Sequence, residues 1–397
     1  MEAHDAVSQL KGEGADVRGM TVWSMLGAYD WNTLLTQNNN FYEPGAFDVR
    51  SGSPRPTAIA HLIKTLCEGK APDHPVLDAA GWWKNPEHVH FVFGMRKDAR
   101  GLPTIEMMFP ENLLSSSSRP ILITGATGTL GRAFAHICNM RNISYALLSR
   151  ENFDITNKAA VELVIEKHRP WAVINAAGFV NVDAAEVSSE RCFQENAYGP
   201  VILAEVCKKY NSRFLTFSTD LVFDGRATSP YVESNAAAPL NIYGASKFYA
   251  ENNVLKINPE ALVIRTSAFF GPWDEHNFLA RMIGNIKYGQ FFYAANDQTV
   301  SPTYIPDLVN NCLDLLIDNE AGTWHLANQS AITWADFACK AAYVGGFNSD
   351  LIVPVPTSDL KLAAKRPIYS ALSSERGLLM PHLDDAISRY FLEGIVS

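Results

Sequence analysis

Three glycines at three-residue spacing, Gly125, Gly128 and Gly131, stand between a short apolar run and a helical pattern in "PILITGATGTLGRAFAHICNM". Few arrangements constrain a chain more. The first glycine permits a tight turn, the second lets backbone approach a pyrophosphate, and the third lets the helix pack close on the strand. The helix N-terminus then offers unpaired N–H groups and a partial positive charge to phosphate. The stretch predicts the strand, turn and helix that open a dinucleotide-binding unit.

The next hundred residues repeat the theme. "ISYALLSR" reads as a second strand, "NKAAVELVIEKHRP" as an amphipathic helix with a proline stop, and "WAVINAAG" as a third strand. "AYGPVILAEVCKKYN" reads as a further helix and "SRFLTFSTDLVF" as a fourth strand. Strands alternating with helices indicate parallel βαβ units, and near-continuous apolar strands fit a sheet covered on both faces. The expected fold is α/β, a Rossmann-like doubly wound parallel sheet, with a smaller lobe built from segments after Gly225 closing over the cleft at the strands' carboxyl ends.

Composition narrows the partners. The 397 residues are 47% hydrophobic with a formal net charge of -9, enough for a large core. The absence of any Lys/Arg run argues against nucleic acid. No apolar stretch approaches the roughly 20 residues of a membrane helix, and "MEAHDAVSQLKGEGAD" lacks the features of a signal peptide. The six scattered cysteines contain no C-x-x-C and read as reduced cytoplasmic thiols, most of them in the core. "HVHF" aligns His88 and His90, but with no third ligand nearby no metal site is expected.

The second strand ends in Ser149 and Arg150, where an acidic residue would read the 2′-hydroxyl of NAD. A guanidinium fork suits a 2′-phosphate, which favours NADPH, with NADH as the alternative cofactor. Asp154 stands where it serves either the adenine side or a helix N-cap. Downstream, "NIYGASKFYAE" sets Tyr243 and Lys247 four residues apart, on one face of a helix. A tyrosine hydroxyl, with a reference pKa of about 10, is a weak acid at neutral pH. A nearby ammonium is expected to lower that value and also to hold nicotinamide ribose hydroxyls. "FSTDLVFDG" supplies Ser218 and Thr219 at the end of the fourth strand, a hydroxyl for a substrate carbonyl.

At these residues the chain resembles the extended short-chain dehydrogenase/reductases, and more closely the dTDP-4-dehydrorhamnose reductases, over roughly residues 119 to 395. The likeness rests on "ITGATGTLG", "VINAAG" with "NVDAAE", "STDLVFDG", "NIYGASKFYAE", "VIRTS", "SPTYIPDL", "GTWHLAN" with "TWADFA", and "RPIYSAL". It implies NAD(P)H-dependent reduction of the C4 ketone of a dTDP-linked 6-deoxy-hexulose to dTDP-L-rhamnose. Tyr243 would protonate the alkoxide at O4, Lys247 would hold the ribose and tune Tyr243, and Thr219 would bond O4. By the same resemblance Thr127, Thr129, Leu130, Ile155, Ala176, Ala177 and Gly178 join the glycines, Ser149, Arg150 and Asp154 at the cofactor. Phe179, Val182, Asp220, Leu221, Ala268 and Arg366 would face the substrate. The dTDP-sugar is the expected partner, with a homodimer the assembly kept open.

The pattern also departs from the family. Sugar-nucleotide 4,6-dehydratases place Asp and then Glu after the threonine; here Leu221 follows Asp220, which disfavours dehydration. The reductases commonly carry an aromatic at Leu221, tryptophan at Ala268, Tyr-Thr at Phe179-Val180 and glycine at Ser301. A reshaped pocket would suit a different sugar, as in a related reductase or epimerase. A non-catalytic alternative resembles the regulatory beta subunit of methionine adenosyltransferase, which keeps the fold and binds a partner enzyme.

Upstream of the serine-rich "ENLLSSSSRP", "VRGMTVWSMLGAYDWN" resembles the last strand of a family 1 glycoside hydrolase barrel, and "RPTAIAHLIKTL" its final helix. The expectation is an incomplete barrel tail over residues 1–70, a connecting segment over 71–118, and the reductase over 119–397. Hydrolysis needs two carboxylates across the glycosidic bond, and the family's glutamates lie on earlier strands that this chain does not contain. A fragment of a longer fusion, or an internal start at Met1, would explain such a tail. It should be poorly packed, with exposed apolar surface.

Overall fold

The computed structural model describes residues 1–37, 41–79, 81, 119–274 and 277–394. The expected linker and the His88–His90 pair lie outside them. The chain divides into two units, Met1–Ala80 and Gly81–Ser397.

The first unit has little core. A helix over Glu2–Gly12 buries no residue, and a second, Ala58–Cys67, is amphipathic yet also buries none. Gly69 ends the second in the left-handed region, φ 67°, as its sequence position predicts. "RGMTVWSMLGAYDW", read as a barrel strand, is not a continuous one. Only Ala28–Tyr29 is extended, paired antiparallel with Tyr42–Glu43, and Trp23 and Met25 are 75% and 70% exposed. Among the described residues of its unit the segment has a two-residue neighbour and no second layer, so nothing there buries it.

In the second unit the apolar runs become parallel strands: β1 Ile121–Thr124, β2 Tyr145–Leu148, β3 Ala172–Asn175, β4 Arg213–Thr219, β5 Leu262–Thr266 and β6 Gly322–His325. Their order is β6-β5-β4-β3-β1-β2, every pairing parallel. β1 thus has β2 on one side and β3 on the other, and the winding reverses there. Ligands bind outside the carboxyl ends at such a switch point.

Helices α1 Thr129–Met140, α2 Lys158–His168, α3 Gly199–Lys209, α4 Ile242–Ile257 and α5 Ile305–Ile317 cross between the strands. Leu122, Val173, Phe214 and Val263 from the sheet pack with Val161, Ile165, Leu203 and Val254 from helices, all at 0% exposure, which seals one face of the sheet. A smaller lobe gathers later segments. A parallel pair, Phe292–Ala295 with Ile352–Val355, packs with helices Phe278–Lys287, Trp334–Gly345 and Leu383–Gly394 around Phe270, Phe337 and Ile387.

Candidate active site

The glycine turn folds as its spacing requires. Gly125 has φ 79°, and a Cβ there would lie 2.6 Å from the Ala176 carbonyl oxygen. A Cβ on Gly131 would lie 2.2 Å from the Gly125 carbonyl oxygen, so α1 closes on the turn only with glycine there. Gly128 differs: its nearest neighbour would be 3.4 Å away, and it stands exposed beside Thr127 at the start of α1. Thr129 is half-buried, and Leu130 is buried in the first turn of α1. Ala126 N–H donates to the Leu148 carbonyl at 3.2 Å, tying the turn to the end of β2 beside Ser149.

Under the crevice runs a polar ladder. Thr124 Oγ1 donates to Asn175 Oδ1 at 2.9 Å and accepts from Ala177 N–H at 3.1 Å, while Asn175 Nδ2 donates to Thr216 Oγ1 at 3.1 Å. It fixes β1, β3 and β4 at the ends where the predicted residues sit.

α4 carries Tyr243 and Lys247 one turn apart. Asn241 caps it, accepting from Gly244 N–H at 2.7 Å. A Cβ on Gly244 would lie 2.2 Å from the Leu221 carbonyl oxygen, so this glycine lets the helix start close on the turn after Thr219. Lys247 is buried, 8% exposed, and its Nζ donates to the Phe217 carbonyl at 3.2 Å. The same Nζ would lie 3.5 Å from a Cβ on Gly178 and is 5.9 Å from the Tyr243 ring centre. Thr219, Tyr243, Lys247, Gly178 and the glycine turn are therefore gathered at one end of the sheet.

Electrostatics correct one expectation. Burial pushes the Lys247 ammonium down to about 8, against the smaller opposing pull of Cys192 and Glu251. The Tyr243 hydroxyl is raised above its ordinary value instead of lowered, by burial first and then by the nearby Asp220 and Cys192. No hydrogen bond joins the Tyr243 hydroxyl to any of the described residues. Asp220 is itself raised by burial, opposed by hydrogen bonds from Ser370 and Thr219.

Several predicted residues are already engaged by protein. Arg150 donates to Glu195 Oε1 at 2.6 Å. Asp154 folds back on Thr156, accepting from its N–H at 3.0 Å and its hydroxyl at 2.8 Å; Asn157 caps the next helix in its place. Arg366 makes a bidentate pair with Asp183, at 2.9 and 2.8 Å, next to Val182. Ala268 adopts φ 26°, and its carbonyl accepts from Thr303 N–H at 2.9 Å. Ile155 is buried; Ala177, Phe179 and Leu221 are half-buried.

Residues outside the predicted set complete the site. Asn196 lies in a π-helical turn, Gln194–Tyr198. Its amide accepts from Phe179 N–H at 2.8 Å and donates to the Phe179 carbonyl at 2.9 Å, clamping the loop after β3. Ser370 donates to Asp220 Oδ2 at 2.5 Å. Ser218, predicted beside Thr219 at the end of β4, is buried, and its Oγ has no partner among the described residues. A π-turn has no periodic signature in sequence, although such turns recur at functional sites.

A parallel sheet with a glycine cradle at its switch point and, across it, a half-buried tyrosine one turn from a buried lysine defines a nucleotide-dependent α/β oxidoreductase site. Residues 119–383 match the RmlD substrate binding domain family, and the chain belongs to it. A dTDP-4-dehydrorhamnose reductase of Aggregatibacter actinomycetemcomitans is 34% identical over 265 residues, 64% of this chain and 90% of the relative. A dTDP-4-keto-6-deoxy-D-glucose reductase of Streptomyces niveus is 30% identical over 255 residues, 64% of this chain and 88% of the relative. A solved dTDP-4-dehydrorhamnose reductase of Bacillus anthracis, in complex with NADP, superposes with a TM-score of 0.66 at 31% identity, over 69% of this chain and 99% of that one. Among the described residues no helix is long and apolar enough to cross a membrane, and no cluster of three or more His, Cys, Asp or Glu could hold a metal ion.

Proposed function

We propose that this chain reduces the C4 ketone of a dTDP-4-dehydro-6-deoxy sugar, as in the conversion of dTDP-4-dehydrorhamnose to dTDP-L-rhamnose, with NADPH or NADH. The observation that carries the reading is the buried Lys247 beneath Tyr243, with Nζ 3.5 Å from the Cβ position of Gly178. That is a proton donor and a cation beside a dinucleotide cradle. The cradle fits the cofactor: Gly125 and Gly131 admit no Cβ, Gly128 leaves the approach open, and the first turn of α1 faces it. When bound, the nicotinamide supplies the hydride.

The chain's own groups handle the proton and the orientation. Lys247 holds the ribose and brings positive charge to Tyr243. Tyr243, kept protonated by its surroundings, delivers its proton to the sugar's O4. Thr219 hydrogen-bonds O4 and fixes the face presented. A positioned acid of this kind contributes about 10²–10⁴-fold in rate. Leu221 and Ala268, half-buried and smaller than the aromatics common in the family, reshape the pocket so that related sugars at the same nucleotide are also candidates.

The test monitors cofactor oxidation by absorbance with enzymatically made dTDP-4-dehydro-L-rhamnose, in the native chain and in Tyr243→Phe. Turnover in the native chain and a loss of about 10² or more in the variant are expected. Equal rates in the two proteins would remove Tyr243 from the chemistry.

We also read residues 1–70 as the closing strand and helix of a (β/α) barrel and 71–118 as the connection to the reductase at 119–397. Support comes from the exposed apolar surface of the first unit, where Leu34 is 72% exposed. Limited proteolysis should degrade this region first; a compact resistant fragment from it would refute the reading.

A further inference from the structure

Glu195 is 9% exposed, yet two arginines converge on it. Arg150 Nη1 donates to Oε1 at 2.6 Å, and Arg191 Nε donates to the same oxygen at 2.8 Å. Glu195 Oε2 has no hydrogen bond among the described residues, and the side chain keeps 12% of its surface exposed, which leaves an acceptor oxygen for an incoming group. Both guanidiniums are largely solvent-facing, their side chains 60% and 64% exposed. Arg191 also lies over the Phe179 ring, 5.5 Å from its centre, on the loop after β3.

The location gives this cluster a meaning. Arg150 follows Ser149 at the end of β2, where this fold reads the adenosine ribose. An acidic side chain there bonds a 2′-hydroxyl; an arginine accommodates a 2′-phosphate. Here β2 supplies the arginine, while the carboxylate arrives from 45 residues away on the π-helical turn. Asn196, next in sequence, clamps the loop after β3 and so holds that turn against the cofactor crevice.

We propose that Glu195 sets cofactor specificity, its free Oε2 accepting from the 2′-hydroxyl of NADH while its charge opposes the 2′-phosphate that Arg150 and Arg191 attract. It rests on the dinucleotide site assigned above. A chain built this way binds both cofactors, and the carboxylate and the arginines pull its preference in opposite directions.

The experiment is cofactor binding to the full chain, followed by nicotinamide fluorescence without sugar. The Kd for NADH and for NADPH is measured in the native protein, Glu195→Gln and Arg150→Gln. Glu195→Gln should shift the ratio toward NADPH by about tenfold, and Arg150→Gln should shift it toward NADH by about as much, the size expected for a hydrogen bond to a charged group. Arg150 is exposed, so its variant keeps the fold and reports the arginine's share; where Glu195→Gln is unstable, Glu195→Asp, which keeps the charge but shortens the reach to the ribose, takes its place and should weaken NADH binding. An unchanged ratio in Glu195→Gln or in Arg150→Gln, or a shift in the same direction in both variants, would overturn the inference, as would a native chain that binds neither cofactor. A chain that binds both with the stated shifts but reduces no dTDP-sugar would leave this inference standing and remove the proposed reaction.

Discussion

Thr219 donates its hydroxyl proton to the carboxylate of its own neighbour, Asp220, across 3.2 Å. Its oxygen meanwhile accepts from Leu221 N–H at 3.2 Å, capping the short turn after β4. The hydroxyl has one proton, so bonding a ketone means redirecting it from Asp220 to the sugar. Asp220 keeps a second donor, Ser370, at 2.5 Å, and is not stranded by the exchange. Thr219→Val should therefore lower kcat/KM by about 10², in the range for one lost oxyanion donor, and Thr219→Ser should restore most of it. The Kd for NADPH should change by less than about twofold, because the hydroxyl acts on the sugar. Near-native turnover by Thr219→Val would show that O4 has another partner.

Lys247 gives a pH dependence with a definite sign. Burial brings its ammonium down to about 8 in the cofactor-free site. Below that pH the cation is present to hold the ribose; as pH rises through about 8 it is lost. Cofactor affinity should be flat below pH 8 and weaken above it, by about tenfold per pH unit, until the complex's own higher pKa is passed. Asp220, Cys192 and Glu251 are the titratable groups whose charges bear on the pair, and the Tyr243 hydroxyl stays protonated across this range because its own value is raised. Fluorescence titrations from about pH 7 to about pH 9.5 test this. A flat profile would mean that Lys247 keeps its proton throughout or contributes nothing to binding.

The three glycines should separate by function. A Cβ at Gly131 meets the Gly125 carbonyl oxygen at 2.2 Å, backbone against backbone, so Gly131→Ala must push α1 away from β1. Such overpacking costs about 1–3 kcal/mol, and cofactor binding should be lost with it. At Gly128 the nearest atom is 3.4 Å away and φ is -88°, which alanine adopts freely. Gly128→Ala should keep the native melting temperature yet weaken NADPH binding, because the new methyl stands where the phosphates approach. A Gly128→Ala protein binding NADPH as tightly as the native chain would place the pyrophosphate elsewhere.

How much of this site is legible in the sequence depends on distance along the chain. The glycine turn and the Tyr243–Lys247 pair are local, set by three- and four-residue spacing on a turn and a helix, and both read directly from the letters. Asn196 and Phe179, 17 residues apart, and Asp220 and Ser370, 150 apart, meet only through the fold. Arg366 reads as an open substrate contact, but Asp183, 183 positions upstream, occupies its guanidinium. The sign of the Tyr243 shift is hidden for a related reason. Spacing shows the ammonium but not the burial or the Asp220 carboxylate that outweigh it. The apolar stretch before Ala28 differs again: its letters resemble a barrel strand, and among the described residues it has no layer to pack against, so its large side chains stay exposed.

The Asp183–Arg366 pair should act as a latch on the substrate side. Arg366 and the Ala364 N–H both bond Asp183, and the neighbouring Lys365 carbonyl accepts from Asn241 Nδ2 at 2.8 Å. Asn241 caps α4, so the segment around residue 365 is tied both to the helix after β3 and to the helix bearing Tyr243. The Arg366 hydrogen bonds hold the Asp183 carboxyl down to about 2. A depressed carboxyl stabilises the fold above its unfolded pKa of about 3.9, and that contribution is lost as pH falls toward the folded value. With both side chains partly solvated, Asp183→Asn should cost about 1 kcal/mol at pH 7, read as a lower urea midpoint, and the gap to the native protein should narrow below about pH 4. Freed from its partner, the segment should raise KM for the sugar several-fold while the Kd for cofactor holds. A stability gap that stays constant down to about pH 3 would show that the carboxylate's charge contributes nothing to the latch. A parallel loss of cofactor affinity would place the segment on the dinucleotide side of the cleft.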